Sequence, residues 1–285
     1  MRRIGIVAHA GRPEAVRVAS DVVAWCRARG LRSRSLDVEG VAADETTGPD
    51  AFPESLDLVV SVGGDGTLLR AALEGHRAGV PVLGVKVGRM GFLTEVDPDE
   101  APEALDAWAA GELDVEERMA LTAVAEGVAD DEPQWALNEV ILEKRARHRV
   151  IRLAAWVGED YVTTFSADGV IVATPTGSTA YSFSARGPIV SPRLTCMVLT
   201  PVSPHMVFDR AVVLAPDEHV LLEVRGDEPG LLSADGRPGL ELPVGSRVRI
   251  GRADRPARLL RRKRPDPFYS RLRMKFSLPG DPSEA

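Results

Sequence analysis

The chain has 285 residues, 44% of them hydrophobic and 27% charged, a balance expected of a soluble globular protein with two domains. Its net charge of -7 argues against a general nucleic-acid binder, which needs a positive surface to displace counterions from phosphates. No run approaches the roughly 18 apolar residues of a membrane span, the stretch after Arg2 and Arg3 stops at His9 and lacks a signal-peptide core, and two cysteines are too few for a disulfide framework. A cytoplasmic protein with no membrane or nucleic-acid partner is expected.

Residues 4–8 read as a first strand, followed by Gly11, by Pro13 at a first helical position and by a helix to about Arg29 that Gly30 stops. Ala15, Val18, Ala19, Val22, Val23 and Cys26 recur along it at helical spacing, which makes Cys26 a packing residue. Strand, turn and helix in succession form the unit of a parallel sheet covered by helices. Residues 37–55 mix Gly, Pro, Thr and acids without a period and read mostly as a surface loop or lid. Residues 56–62 form a buried strand that runs into Gly63-Gly64-Asp65-Gly66-Thr67, with a helix predicted from Thr67 to about Gly75. A strand over 80–87 and a helix over about 98–110 follow.

After Gly111 the pattern changes to short alternating strands, predicted at 121–126, 135–144, 149–157, 161–165, 170–173, 196–201, 219–225, 230–234 and 247–250. Gly158-Glu159-Asp160 and Asp235-Gly236 mark turns between them. The expected fold is an α/β domain with a parallel sheet over residues 1–113 and a β-rich domain over 114–256. Basic residues gather from Arg258 to Arg264 and again at Arg271, Arg273 and Lys275. A solvated face, with Leu259 and Leu260 turned inward, is preferred there over a phosphate-binding patch.

Three constellations carry chemistry. In Gly63-Gly64-Asp65-Gly66-Thr67 the glycines let the backbone approach a phosphate, and an acid held there can orient a hydroxyl or a divalent cation; a plain strand-to-helix turn with Asp65 as N-cap is the structural alternative. Neither a Walker A loop nor the Gly-x-Gly-x-x-Gly dinucleotide fingerprint is present. From Asp168 to Ser184 a strand feeds a loop crowded with hydroxyls, and Tyr181 adds an aromatic face for a base or nicotinamide ring. Asn138-Glu139 interrupts an otherwise apolar strand and needs polar partners, which a ribose diol or adenine edge would supply.

Taken in order, these three motifs resemble those of the NAD kinases, the enzymes that phosphorylate NAD to NADP, and the resemblance runs from the first strand to about Lys275. The glycine-aspartate turn is shared with diacylglycerol kinases and more loosely with phosphofructokinases, whereas residues 168–184 preceded by Asn138-Glu139 are specific. The resemblance implies Asp65 as the catalytic proton acceptor and in-line attack of the adenosine 2′-hydroxyl of NAD on the terminal phosphorus of ATP, or of polyphosphate. A divalent cation, expected to be Mg2+, would assist, with no protein ligand for it implied. Gly63, Gly64, Gly66 and Thr67 would serve the phosphates. Asn138 and Glu139 would bind the adenosine, with Glu139 at the ribose, and Asp168, Thr179, Ala180, Tyr181 and Ser184 the rest of the dinucleotide. Arg70, Arg149 and Arg237 fall where the family has further ligand contacts. A tail over 257–285 would return to the first domain, and a homodimer or homotetramer would complete the NAD site. Two residues depart from the family: Lys86 stands for Asn and Arg186 for Gly. They motivate an alternative, a catalytically weak or inactive nucleotide-binding regulator, and a positive φ at position 186 would strain its arginine.

Overall fold

The computed structural model describes residues 1–36, 40–89, 91–128, 132–262 and 268–279. The chain divides into two compact units, residues 1–117 with the segment from 257 onward, and residues 118–256.

The first unit begins with β1 (Arg3–Ala8), α1 (Pro13–Ala28), β2 (Arg32–Leu36), β3 (Glu45–Thr47), β4 (Leu58–Gly63), α2 (Asp65–Ala78), β5 (Val82–Lys86), α3 (Ala101–Ala110) and β6 (Asp114–Arg118). β1 pairs in parallel with β2 and β4, β2 with β3, and β4 with β5. Ile4, Ile6, Val60, Val62 and Val85 pack in one core with Val18, Val22 and Cys26 of α1 and Leu105 of α3. Burial, aided by the Asp44 carboxylate, pushes the Cys26 thiol up to about 12, the state of an inert packing residue.

Several predicted boundaries shift for identifiable reasons. Helix α2 opens at Asp65, before Thr67, and runs past Gly75 to Ala78, ending on Gly79 at φ 70. Gly75 is an approach point, not a stop: a Cβ there would lie 2.5 Å from Val82 Cγ2. The expected surface loop holds β3 and is tied down where it is described, because the Arg34 guanidinium donates to the carbonyls of Ala51, Phe52 and Glu54 at 2.8, 3.1 and 2.9 Å. Residues 37–39 of that loop lie outside the described residues. The predicted helix over 98–110 begins with a 3-10 turn, Pro98–Glu100, under an Asp97/Glu100 capping box.

The second unit contains β7 (Leu121–Glu126), β8 (Gln134–Ala136), β9 (Glu139–Lys144), β10 (Ile151–Val157), β11 (Asp160–Ala167), β12 (Gly169–Ala173), a 3-10 turn (Gly177–Thr179), α4 (Tyr181–Ser184), β13 (Met197–Val202), β14 (Val212–Leu214), β15 (His219–Arg225), β16 (Gly230–Ala234), β17 (Leu240–Leu242) and β18 (Arg247–Arg252). They build two six-stranded sheets, ordered β11-β10-β15-β18-β7-β8 and β14-β13-β12-β9-β16-β17. Alternate residues of both sheets, among them Leu153, Phe165, Leu222 and Val248 from one and Leu142, Val172, Leu199 and Leu232 from the other, share one core.

The single strand expected over 135–144 is two strands belonging to different sheets. The chain passes between them at Leu137-Asn138, where the Asp235 carboxylate accepts the N–H groups of Leu137, Asn138 and Glu139 at 2.7, 2.8 and 3.2 Å. One side chain thus does the work of a ladder neighbour, so the hydrophobic run can leave one sheet and enter the other.

Beyond residue 256 the chain re-enters the first unit. β19 (Ala257–Arg261) lies between β5 and β6, pairs in parallel with β5, and is followed by α5 (Phe268–Lys275). Leu259 and Leu260 are buried, but Arg261 and Arg262 depart from the expected solvated face. Arg261 pairs with Glu116 at 2.6 Å and Glu95 at 3.4 Å, and Arg262 with Glu100 at 2.9 Å, because a central strand leaves its charged ends little water. Lys263 and Arg264 lie outside the described residues.

Candidate active site

In the first unit Gly64 is the extended N-cap of α2 and makes no side-chain cap, and Asp65 is the first helical residue, so the expected alternative of Asp65 as N-cap does not hold. Its carboxylate turns instead to a neighbouring loop: Oδ2 accepts the Phe92 N–H at 2.8 Å and Oδ1 the Leu93 N–H at 3.1 Å. Gly91 makes room for this clamp, since a Cβ there would lie 2.0 Å from Asp65 Oδ1. At Gly63 a Cβ would lie 2.4 Å from Thr67 Oγ1, whereas Gly64 and Gly66 face open space. The Thr67 N–H is taken by the Gly64 carbonyl at 3.0 Å, and the N–H groups of α2 that precede it have no intrahelical partner, which makes the helix start a ready anion site. A cavity of about 620 Å3 is lined by Asp65, Arg89, Gly91, Arg271, Met274 and Lys275, so cations gather around the carboxylate. Thr67 is buried in the turn, while Arg70 is exposed on α2 near Glu74.

In the second unit the loop from Thr174 to Ser184 folds onto the Leu137-Asn138 crossing. Thr174 Oγ1 donates to the Leu137 carbonyl at 2.6 Å and accepts the Gly177 N–H at 3.1 Å. The Thr174 N–H reaches the Asn138 carbonyl at 2.8 Å. Gly177 cannot carry a side chain, because its Cβ would lie 2.1 Å from that carbonyl oxygen. Ser178 donates to the Pro175 carbonyl at 2.7 Å and accepts the Val190 N–H at 2.9 Å, and Ser182 and Thr200 share a hydrogen bond of 3.0 Å. These buried hydroxyls are used in building the loop. Thr179, Ala180, Tyr181 and Ser184 remain at least partly accessible.

Glu139 is the electrostatic focus of this unit. Burial, reinforced by the Asp235 carboxylate, raises it to about 8 against the pull of the Tyr181 N–H. Its Oε2 is buried with no hydrogen-bond partner among the described residues. Burial and then the charges of Glu143, Asp168 and Glu139 raise the Tyr181 hydroxyl, which gathers Glu139, Asp168 and Tyr181 into one neighbourhood. Asp168 is paired with Lys144. Arg237 donates to the Trp135 carbonyl and supports the Asp235 turn. Arg149 is not brought to this group: it pairs with Glu228 at 3.3 Å with its side chain 68% exposed.

The two departures have structural places. Lys86 ends β5 paired with Asp97 at 2.7 Å. Arg186, at φ 69, follows the Ala185 C-cap of α4. Its N–H bonds Phe183 O at 2.9 Å and the Gly187 N–H bonds Ser182 O at 2.8 Å, the paired bonds of a Schellman motif. With Tyr181, Ser184, Ser203 and Asp209 it lines a second cavity of about 360 Å3. Reasoning from sequence missed Asp235, read only as a turn residue, and the parts played by Thr174, Gly177 and Gly91. An acid immediately before a turn glycine was the signal available for Asp235.

Two sequence families match the chain: the ATP-NAD kinase N-terminal domain over residues 34–113 and the ATP-NAD kinase C-terminal domain over residues 137–262. The NAD kinase of Syntrophotalea carbinolica is 40% identical over 266 residues, 92% of this chain and 93% of that one. NAD kinase 2 of Streptomyces avermitilis is 40% identical over 290 residues, 98% of this chain and 95% of that one. Among solved structures, yeast NADH kinase complexed with NADH has the same fold, with a TM-score of 0.87 at 21% identity over 99% of this chain and 89% of that chain. The NAD kinase from Archaeoglobus fulgidus in complex with ATP gives 0.74 at 24% identity, over 98% and 100%.

Proposed function

The chain belongs to the NAD kinase family, and we propose that it transfers the terminal phosphoryl group of ATP to the adenosine 2′-hydroxyl of NAD, giving NADP, with Asp65 accepting the proton. The observation that carries this reading is the Asp65 clamp: a carboxylate fixed by two N–H groups at the mouth of a helix and facing a cavity lined by Arg89, Arg271 and Lys275. The new O–P bond forms as the bond to ADP breaks, and the hydroxyl proton passes to Asp65. Because such transfer is usually loose, orientation of the hydroxyl matters as much as proton removal. Gly63, Gly64, Gly66 and Thr67 would leave the turn's backbone donors to the donor phosphates. Polyphosphate, another chain of anhydride-linked phosphates, would meet the same donors.

In the second unit, Glu139 would accept hydrogen bonds from the adenosine ribose, which gives its orphaned buried oxygen the partner it lacks in the free protein. Asn138 sits beside it, and Asp168, Thr179, Ala180, Tyr181 and Ser184 would meet the remainder of the dinucleotide, with Arg237 holding the Asp235 turn beneath. Arg70 would be an outer contact. Among the described residues no group of three or more His, Cys, Asp or Glu side chains could hold a resident metal ion. The divalent cation is therefore assigned to the substrate, as the Mg2+ salt of the donor's phosphates.

An inactive regulator gains no support from Lys86 or Arg186, since one is neutralised by Asp97 and the other caps a helix. The test incubates the protein with NAD, ATP and Mg2+ and measures NADP. Asp65→Asn is expected to lose about 10²- to 10⁴-fold in kcat, and NAD binding without any NADP from the parent would overturn the reading. The resemblance to the family implies a homodimer or homotetramer, to be checked by light scattering, where a monomer at working concentration would refute it. No helix among the described residues is long and apolar enough to cross a membrane. A cytoplasmic location fits the use of ATP and NAD, and cell fractionation that found the protein outside the cytosol would exclude it.

A further inference from the structure

The loop that clamps Asp65 is itself gripped from the C-terminal segment. The Leu93 N–H reaches Asp65 Oδ1 at 3.1 Å, and the carbonyl of the same peptide unit, Phe92 O, accepts Arg271 Nη1 at 2.8 Å. In a trans peptide the C=O and N–H point in opposite directions. Guanidinium, carbonyl, N–H and carboxylate therefore stand in a row, with the peptide dipole aligned between a positive and a negative charge. Bonds in such a chain polarise and strengthen one another. The next carbonyl, Leu93 O, accepts Arg261 Nη1 at 2.8 Å, so both peptide units flanking Leu93 are held by arginines that follow residue 256. Phe92 is fixed further by the Phe268 ring, with centroids 6.0 Å apart, and by Lys275 Nζ 4.4 Å from its own ring centroid.

A side chain serving only to fasten α5 could do so anywhere on the loop, with any donor. Arg271 instead binds the carbonyl of one of the two peptide units whose N–H groups hold the carboxylate, and it lines the cavity that Asp65 faces. We propose that Arg271 is a positioning residue for phosphoryl transfer, acting through the Phe92–Leu93 peptide unit to hold the Asp65 carboxylate in its reacting orientation. The inference rests on the reading of Asp65 as proton acceptor. It makes the last described helix part of the catalytic apparatus although that helix, Phe268–Lys275, lies some 200 residues beyond the glycine-aspartate turn.

The experiment compares Arg271→Ala, Arg271→Lys and, as a control on the exposed side of the same helix, Arg273→Ala. Each is assayed for kcat, for KM of NAD and of ATP, and for thermal unfolding, with and without added methylguanidinium. Loss of orientation at a reacting group costs about 10- to 100-fold, so Arg271→Ala should lose that much kcat with both KM values within about twofold of the parent. Methylguanidinium should restore part of the rate, Arg271→Lys should fall between the two because an ammonium lacks the planar fork, and Arg273→Ala should match the parent. In the Asp65→Asn background Arg271→Ala should cost almost nothing more, as expected of two residues acting as one unit. A raised KM for ATP with kcat preserved would make Arg271 a phosphate ligand and overturn the proposal. So would a loss of rate matched by a loss of folded protein and indifferent to methylguanidinium. Full activity in Asp65→Asn defeats the reading of Asp65 itself, whereas an inactive Asp65→Asn beside a fully active Arg271→Ala defeats only the role given to Arg271.

Discussion

Glu139 joins a legible residue to an illegible environment. The sequence singles it out as a polar interruption of an apolar strand, but its elevation to about 8 comes from burial and from Asp235, which is 96 residues away in the chain. Between the ordinary glutamate value of 4.5 and about 8 the folded protein retains a proton that the unfolded chain has released. This group's contribution to stability is complete below pH 4.5 and is lost as the pH rises through about 8. A ribose diol that donates to the carboxylate favours its ionised form. NAD binding near pH 7 should release a proton, so affinity should rise with pH up to about 8 and level off above it. Calorimetry in buffers of differing ionisation enthalpy would detect the release, and Glu139→Gln should abolish it. If proton release is the same in parent and variant, the ribose contact is wrong. Glu139→Ala should weaken NAD far more than ATP, and equal weakening of both would count against the same contact.

Among the elements, the helix ends and strand breaks differ most from what periodicity predicts. Arg186 occupies the left-handed position of a Schellman motif, where a Cβ costs about 1 kcal/mol that glycine does not incur. Arg186→Gly should therefore raise stability by about that amount, as seen in a denaturant midpoint shift, and a destabilised variant would mean that the guanidinium contributes more than the strain costs. Asp235→Ala tests the crossing between β8 and β9: three buried N–H groups lose their acceptor at once, for an expected cost of about 3 kcal/mol or more. Unchanged unfolding would show that water replaces the carboxylate. The sequence marks Asn138-Glu139 as a polar interruption but not as a change of sheet, because the partner that ends the first strand comes from a distant turn.

For the whole molecule, the first unit is completed by the chain's last described strand. β19 lies inside the seven-stranded sheet, so a chain ending at Pro256 would leave β5 and β6 without the neighbour between them. Such a truncation is expected not to fold its first unit, to be followed by proton-resolved NMR, and native dispersion from β1, β4 and β5 would refute this. Strand and helix periods on their own determined the fold class and located the glycine-aspartate turn, and the family followed from the resemblance of three motifs, because all of these depend on local residue types and short spacings. Tertiary structure alone decided which hydroxyls of residues 174–184 are used within the protein, that Asp235 anchors the chain beneath Glu139, and that Arg261 and Arg271 return to the loop holding Asp65. Apart from the local Ser178 bond to the Pro175 carbonyl, each of those contacts joins residues far apart in the chain, and its partner is set by how the backbone passes through the fold, which no local spacing records.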